Sequence, residues 1–429
     1  LSFIVIASGL SLTFVIFARV MVYFGVARKL PGVTFPAWIS NTGMLVLGCL
    51  GGLIALEIVL RIYNPIEFRV RGSEIVLPTS VHIVYTNNNP IEGQTDREIV
   101  YKRNKLGFRG PDAPPDFRKW LTIVTVGGST TEDVSLSEGK TWTDRLYQNL
   151  RPKFTKLWVN NAGFIGHSSY AHIQLIQRFI SELRPDVVVF LIGINDMGRD
   201  QMPGLVTPYD ENLTDRGRTV RPLFDVVADH SEVGSLLYNL DRSLRAWLLG
   251  FSHVIVDGVG RGQPFNAFVG DRGVNAQGLL DRFDAFQPGY QERLKTLIDE
   301  VRKHGVTPIL VTQPFLWGDE VDPTTGHYLG NLKETLLGES TTSLVYWKAL
   351  EKYNATMRGV AETSGVTLVD LARMLPKDSF LYVDRMHFSN AGAAKVGKII
   401  ANAMCEKLQR EFPKWVDRSA GDCGEAHKE

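Results

Sequence analysis

A serine preceded by two glycines is the first feature of this sequence that could do chemistry. Gly127-Gly128-Ser129 directly follows a predicted strand. Glycines allow a sharp turn from strand to helix, which leaves the hydroxyl at a helix N-terminus, where the dipole favours a developing anion. Ser129 is therefore a candidate nucleophile. Ser129 with Glu132 also forms the S-x-x-E pattern of a capping box, so a purely structural role stays open. A phosphate-binding loop is disfavoured because no lysine follows the glycines.

Four further positions could complete the chemistry that a nucleophilic serine needs. Asp384 and His387 lie directly before a predicted helix, and their spacing can bring the carboxylate to the imidazole Nδ1–H. This contact fixes the tautomer and leaves Nε2 as a base. Gly166 and Asn195 follow two other predicted strands and, with the N–H of Ser129, could donate hydrogen bonds to an oxyanion. Each residue alone is typical of an ordinary turn or cap, but together they are the set that acyl transfer requires.

The segments between these residues predict an α/β domain. Short apolar runs, which we interpret as strands, are Leu121–Val126, Leu157–Asn160, Asp186–Ile192, Val306–Thr312 and Val366–Asp370. Helical patterns lie near Thr141–Leu150, Tyr170–Leu183, Tyr290–His304, Ser343–Thr363 and Asn390–Phe412. This alternation indicates a doubly wound, flavodoxin-like, three-layer fold with a parallel sheet of about five strands. Ligands of such sheets bind beyond the carboxyl ends of the strands, where the candidate residues lie.

Two apolar runs near the N-terminus predict a membrane anchor. Residues 1–27 are interrupted only by Arg19, and residues 30–56 carry no charge. A bilayer crossing needs about 20 apolar residues, so we predict that residues 1–62 contain two transmembrane helices. A secretory signal peptide is the competing interpretation of the first run.

The remaining chain is predicted to have three parts. Residues 63–120 form a juxtamembrane connector with short strands. Residues 121–415 form the α/β domain, which contains a large insertion at about 198–288 with one amphipathic helix near Glu232–Leu249. Residues 416–429 form a tail.

Composition excludes some classes of function. The chain has 47 basic and 46 acidic residues, a formal net charge of +1, which gives no electrostatic footprint for nucleic acid. Its three cysteines, Cys49, Cys405 and Cys423, show no metal-ligand spacing, so we expect no structural metal. Cys405 and Cys423 could pair outside the cell.

The candidate residues, taken in order, resemble the blocks of the SGNH, or GDSL-type, hydrolase superfamily. Ser129, Gly166, Asn195 and His387 match the four residues that name the family, with Asp384 as the acid partner. The resemblance covers roughly residues 100–415 and includes the pieces Asn-x-Gly-x-x-Gly, Gly-x-Asn-Asp and Asp-x-x-His.

Two local features refine this resemblance. The segment Asn104–Gly110 is similar to one that precedes the first block in membrane-anchored bacterial members of the superfamily. The family's Gly-Asp-Ser is Gly127-Gly128-Ser129 in this chain. The lost aspartate is not the triad acid, so we expect the change to affect the turn rather than the chemistry.

The resemblance implies a membrane-anchored serine esterase with a Ser129–His387–Asp384 triad and an oxyanion hole formed by Ser129, Gly166 and Asn195. No metal or organic cofactor is implied. Candidate substrates are O-acetylated glycans and lipid-like esters, and the expected location is the bacterial inner membrane with an extracytoplasmic catalytic domain. An O-acyltransferase that uses the same triad is the nearest alternative. A non-catalytic glycan- or lipid-binding membrane protein on the same scaffold is a further one.

Overall fold

The computed structural model of the protein describes residues 37–63, 70–71, 74–87, 90–199, 227, 230–248, 276–419 and 423. The chain divides into two compact units, one of Leu1–Val76 with Thr207–Ser252 and one of Leu77–Val206 with His253–Glu429. The strands are β1 (Val70–Arg71), β2 (Glu74–Ile75), β3 (Val81–Thr86), β4 (Glu98–Arg103), β5 (Leu121–Gly127), β6 (Leu157–Asn161), β7 (Val187–Leu191), β8 (Thr307–Val311), β9 (Lys333–Leu336), β10 (Glu339–Thr342) and β11 (Thr367–Val369).

The helices alternate with the longer strands. They are α1 (Ala37–Ile62), α2 (Ser129–Glu132), α3 (Trp142–Leu150), α4 (Ser169–Leu175), α5 (Ser181–Leu183), α6 (Glu232–Leu248), α7 (Ala276–Asp284), α8 (Gln287–Lys303), α9 (Ser343–Ser364), α10 (Leu371–Met374) and α11 (Asn390–Glu411). A π-helical turn over Ile176–Ile180 joins α4 to α5.

The second unit is built on a five-stranded parallel sheet in the order β11-β8-β7-β5-β6. Every residue of β5, β6 and β7 is buried, as expected for apolar strands that are covered on both faces. Helices α3 and α11 pack together over one face, while α8 contacts α4, α9 and β8. The predicted parallel sheet of five strands is confirmed, and each strand ends within one residue of its predicted bounds.

The remaining strands form short antiparallel hairpins. Strands β1 and β2 belong to the first unit, whereas the β3–β4 hairpin belongs to the second. The predicted connector, residues 63–120, is therefore divided between the two units. In the second unit, Cys405 of α11 forms a disulfide with Cys423, across a Cα–Cα distance of 5.8 Å.

Helix α1 lies where the second transmembrane helix was predicted. Within the described ranges, no helix is long and apolar enough to cross a membrane. The structure therefore does not support that prediction. Near its end, α1 contains Glu57 and Arg61, which pair at 2.7 Å. The Glu57 carboxylate also accepts hydrogen bonds from Ser231 Oγ at 2.8 Å and from the Val233 N–H at 3.0 Å, at the start of α6.

Other predictions fall partly beyond the described residues. The first predicted transmembrane helix, over residues 1–27, lies outside them. Within the predicted insertion, residues 200–226 and 249–275 lie outside them as well. Helix α6 matches the amphipathic helix that was predicted inside the insertion.

Helices α3 and α11 approach each other closely at a glycine. A Cβ atom added to Gly397 of α11 would lie 2.4 Å from Cβ of Arg145 and 2.8 Å from the backbone N of Leu146. These are atoms of α3 that cannot easily move. By contrast, a Cβ at Gly359 in the interior of α9 would meet no atom within 4 Å.

This contrast predicts opposite effects of the same substitution. Gly397→Ala overpacks the α3–α11 contact, so we expect the free energy of unfolding to fall by about 1–3 kcal/mol. Gly359→Ala, the matched control, should raise the free energy of unfolding by about 0.5–1 kcal/mol, because alanine has less backbone entropy to lose in a helix. Urea denaturation of both variants measures this, and a Gly397→Ala protein as stable as the wild type would contradict the packing argument.

Candidate active site

Ser129, His387 and Asp384 form a continuous chain of hydrogen bonds. Ser129 is the first residue of α2, and only Gly128 separates it from the buried strand β5. His387 Nε2 lies 2.8 Å from Ser129 Oγ, and His387 Nδ1 lies 2.7 Å from Asp384 Oδ2. The structure thus brings together the three predicted triad residues, although 258 positions separate the serine from the histidine.

The turn before α11 explains the spacing of the acid and the base. Asp384 Oδ1 accepts hydrogen bonds from the backbone N–H groups of Met386 and His387, both at 2.8 Å. This turn, of the kind that Asp side chains favour, leaves Oδ2 for the imidazole. Ser389, the next polar residue, caps α11 by accepting from the Gly392 N–H at 3.0 Å. The turn and the cap fix where the imidazole lies.

The electrostatics of the site favour an ionised acid beside a strong base. Burial alone would raise the pKa of Asp384, but the neighbouring His387 ring and two backbone N–H groups lower it to about 2. Burial alone would lower the pKa of His387, but the Asp384 carboxylate holds it above its usual value, and Asp133 acts in the same direction. Burial raises the pKa of Asp133 itself to about 7.

The predicted oxyanion donors line the same end of the sheet. Asn195 lies in the turn Ile194–Asp196 that follows β7, and its Nδ2 donates to the His167 carbonyl at 3.0 Å. Gly166 has a φ of +77°, in the region that glycine favours. The N–H groups of Ser129 and Gly166 donate to no other residue in the described part of the chain. Within the described residues, both N–H groups thus remain available to a ligand oxygen.

Gly128, where this chain departs from the Gly-Asp-Ser pattern, packs against the third donor. A Cβ atom at Gly128 would lie 2.2 Å from Asn195 Nδ2. A side chain at this position would displace the amide, so the glycine permits its close approach.

The part of the chain that contains the site matches the model of a known family. The model of the GDSL-like lipase/acylhydrolase family matches residues 125–395, a range that contains all of the predicted site residues. The chain belongs to this family. It is an ester-hydrolysing enzyme.

Two solved structures are similar to the chain in fold. The lipase/acylhydrolase from Enterococcus faecalis is 16% identical over 66% of this chain and 94% of its own, with a TM-score of 0.35. A catalytic mutant of Axe2, an acetylxylan esterase from Geobacillus stearothermophilus, is 16% identical over 68% of this chain and 93% of its own, with a TM-score of 0.34. No curated protein matches the chain.

The alternative interpretation, in which Ser129 and Glu132 form a capping box, is wrong. The N-cap of α2 is Gly128, which makes no side-chain cap, and Ser129 is already helical. The Glu132 carboxylate accepts instead from the Ile165 N–H at 2.5 Å and from Tyr101 Oη at 2.7 Å. Glu132 therefore bonds to residues of other elements and not to the backbone at the start of α2.

Sequence reasoning missed two arginines that position the site. The buried Arg109 guanidinium donates to the carbonyl groups of Glu132 and Asp133, at 2.6 and 2.8 Å, at the C-terminal end of α2. The buried Arg293 of α8 lies 3.6 Å from Asp196, whose carboxylate accepts from the Ser169 N–H at 3.1 Å. Asp196 thereby holds the turn that carries Asn195. Only Arg109 had a signal, its place in the segment Asn104–Gly110.

Asp133 offers a test of the electrostatics that leaves the triad intact. Asp133→Asn removes a negative charge that raises the pKa of His387, so this pKa should fall. Because only the neutral imidazole can act as a base, we expect the acid limb of the kcat/KM profile to move to lower pH. The variant should fold, since asparagine tolerates the φ of 56° at this position.

The measurement is the hydrolysis of p-nitrophenyl acetate between pH 5 and pH 9. Asp281→Asn, in the exposed part of α7, is the matched control and should leave the acid limb in place. An acid limb that stays fixed or moves to higher pH in Asp133→Asn would show that Asp133 does not act on His387.

Proposed function

We propose that this GDSL-like enzyme is a serine esterase that works through an acyl-enzyme on Ser129. The observation that carries the proposal is the hydrogen-bonded chain from Asp384 through His387 to the Ser129 hydroxyl. This chain ends beside two backbone N–H groups that no other described residue engages. Nucleophile, base, orienting acid and oxyanion donors are the parts that acyl transfer needs.

The first half of the reaction forms the acyl-enzyme. His387 Nε2 takes the proton of Ser129 Oγ as the oxygen attacks the carbonyl carbon of the ester. The carbonyl oxygen becomes an oxyanion, which accepts hydrogen bonds from the N–H groups of Ser129 and Gly166 and from the Asn195 amide. His387 then donates its proton to the departing alcohol, and the C–O bond of the ester breaks.

The second half releases the acid. Water gives a proton to His387 and attacks the acyl carbon, and Ser129 leaves with the proton that His387 returns. Asp384 keeps one tautomer of the imidazole throughout and stabilises the imidazolium that forms twice. Each such oxyanion donor contributes about 10²–10³ in rate when it is preorganised.

An apolar cluster beside the triad supports an ester with an apolar or carbohydrate face. Phe315 and the partly buried Trp317 and Tyr346 pack with Ile194 and Met386, the chain neighbours of Asn195 and His387. We propose that this cluster borders the substrate, which would suit an O-acetylated sugar ring or a lipid-like ester. Aromatic side chains provide such contact surfaces at little conformational cost.

Ser129→Ala is the decisive test of the esterase. Without the nucleophile, kcat for p-nitrophenyl acetate should fall by about 10⁴-fold or more. A fluorophosphonate should label the wild type on the peptide that contains Ser129 and should leave the variant unlabelled.

The matched control is Ser340→Ala, at an exposed serine of β10, which should keep both activity and labelling. Wild-type turnover in Ser129→Ala would refute the proposal. Adding sugar alcohols to the wild type and following the acyl group tests the acyltransferase alternative, because transfer to the sugar in place of water would favour it.

We also propose that residues 1–27 attach the enzyme to a bacterial inner membrane, with the catalytic unit outside the cytoplasm. The uncharged sequence of Leu1–Ala18 supports the attachment. The disulfide between Cys405 and Cys423 supports the compartment, because disulfides persist mainly in oxidising environments.

Expression of the full chain in a bacterium tests both parts of this proposal. We expect the protein to sediment with membranes and to resist extraction by alkaline carbonate, and an alkaline phosphatase fused to its C-terminus to be active. The chain without residues 1–27 is the control and should lose the attachment. Full-length protein in the soluble fraction, or a phosphatase that is inactive while a cytoplasmic reporter works, would contradict the proposal.

A further inference from the structure

A buried ion pair lies behind the loop that carries Gly166. Arg103 of β4 and Glu132 of α2 form a salt bridge in which the side chains are only 1% and 5% exposed. Buried ion pairs contribute little stability compared with well-packed apolar residues, because both charges lose their hydration. The pair therefore has another use, which the partners of the carboxylate indicate.

The two oxygens of Glu132 face different parts of the molecule. Oε1 accepts from Arg103 and from Tyr101 Oη, both in β4. Oε2 accepts from the backbone N–H of Ile165 at 2.5 Å. Ile165 directly precedes Gly166, so a charged acceptor holds the peptide next to an oxyanion donor.

The geometry of this loop shows why one anchor matters. His167 N–H donates to the Phe164 carbonyl at 3.1 Å, which closes a four-residue turn over 164–167. The φ of +77° at Gly166 is that of the third residue of a type II turn. In such a turn, the Gly166 N–H belongs to the central peptide, which makes no hydrogen bond within the turn.

Packing does not hold this turn at its tip. A Cβ atom at Gly166 would meet no atom within 4 Å, and Gly166 is exposed. The turn is fixed instead at its base, where the Phe164 N–H donates to the Gly127 carbonyl at 3.1 Å and Arg103 lies over the Phe164 ring at 4.7 Å. Within the described residues, three side chains bond to the turn itself: Arg199 donates to the Gly166 carbonyl at 3.1 Å, Asn195 donates to the His167 carbonyl at 3.0 Å, and Glu132 accepts from the Ile165 N–H. Of these three, Glu132 is the buried one, and it is bonded to the residue that directly precedes Gly166.

We propose that Glu132 is a positioning residue of the oxyanion hole. Its Oε2 fixes the turn over 164–167, and through it the direction of the Gly166 N–H, while Arg103 pairs with Oε1 and keeps the carboxylate aimed at Ile165. The inference rests on the proposed esterase mechanism and extends it to the buried pair.

A pair of double variants separates positioning from neutralisation of a buried charge. Arg103→Met with Glu132→Leu removes both charges at similar volume and leaves the Ile165 N–H without an acceptor. Arg103→Met with Glu132→Gln also removes both charges but restores one carbonyl acceptor. A single Glu132 variant would leave Arg103 buried and unpaired, which costs stability whatever the role of Glu132.

We expect the Leu-containing variant to hydrolyse p-nitrophenyl acetate with a kcat lower by about 10-fold to 100-fold, somewhat less than the loss of a whole oxyanion donor. KM should change by less than about twofold, because the ground-state ester makes no strong bond to the hole. The Gln-containing variant should recover most of the kcat. The inhibition constant of a trifluoromethyl ketone, whose adduct with Ser129 places an oxyanion in the hole, should rise in proportion to the loss of kcat/KM.

Tyr101→Phe is the matched control. It removes a bond to Oε1, on the far side of the carboxylate, and keeps the bond from Ile165. We expect it to lower Tm but to reduce kcat far less than the Leu-containing variant does. If the Leu-containing variant does not fold, Glu132→Asp replaces it, because the shorter acid keeps the charge pair but draws back from Ile165 and should lower kcat alone.

Equal kcat values in the Leu- and Gln-containing variants, or a raised KM at unchanged kcat, would overturn the positioning role. An unchanged inhibition constant for the ketone would do the same. Failure of the esterase mechanism itself looks different, because the wild type would then escape labelling by a fluorophosphonate.

Discussion

A single buried guanidinium holds the backbone that carries Ser129, the proposed nucleophile. Arg109 donates to the carbonyl groups of Glu132, Asp133 and Leu136, at 2.6, 2.8 and 2.9 Å, and pairs with Glu138 at 2.7 Å. Carbonyl groups only accept hydrogen bonds, so three that converge on one point cannot bond to one another. The N–H donors of the Arg109 guanidinium bond to all three, which allows the chain to turn here. The turn includes Asp133 in a left-handed conformation and ends α2 after one turn, which keeps Ser129 at the sheet edge.

The charged residues around the site act on different groups. Glu132 and Arg103 lie behind the loop over 164–167 and act on backbone geometry, whereas Asp384 acts on the imidazole of His387. Asp133 directly follows Glu132 in the chain. It is buried, and burial raises its pKa to about 7. Because the pKa of Asp133 lies near neutral pH, the charge that acts on His387 changes with pH. Asp133 takes no part in the proposed reaction itself.

The five-stranded sheet, and the meeting of Ser129, His387 and Asp384, could be predicted because each strand and each of these residues carries a local sequence pattern. Continuous apolar runs predicted the five strands. Because the carboxyl ends of parallel strands lie at one edge of the sheet, Ser129, Gly166 and Asn195 were expected to lie near one another. The contacts of Arg103, Glu132 and Arg293 could not be predicted, since their partners are distant in sequence and carry no periodic signal. For the same reason, the S-x-x-E pattern left a capping role open for Glu132. The apolar run over residues 30–56 did not reveal that α1 continues into a polar contact between Glu57 and the start of α6.

The glycine that replaces the aspartate of the family motif links three blocks of the site. Asn195 Nδ2 donates to the His167 carbonyl, which belongs to the second block. The same nitrogen lies close to Gly128, which belongs to the first block. An amide NH₂ has two donors, so the bond to His167 leaves one N–H for a ligand. A side chain at residue 128 would have to push the amide away from the serine turn, since the His167 carbonyl also lies only 3.2 Å from where its Cβ would be. The absence of a side chain at Gly128 thus permits the close approach of the Asn195 amide in this chain.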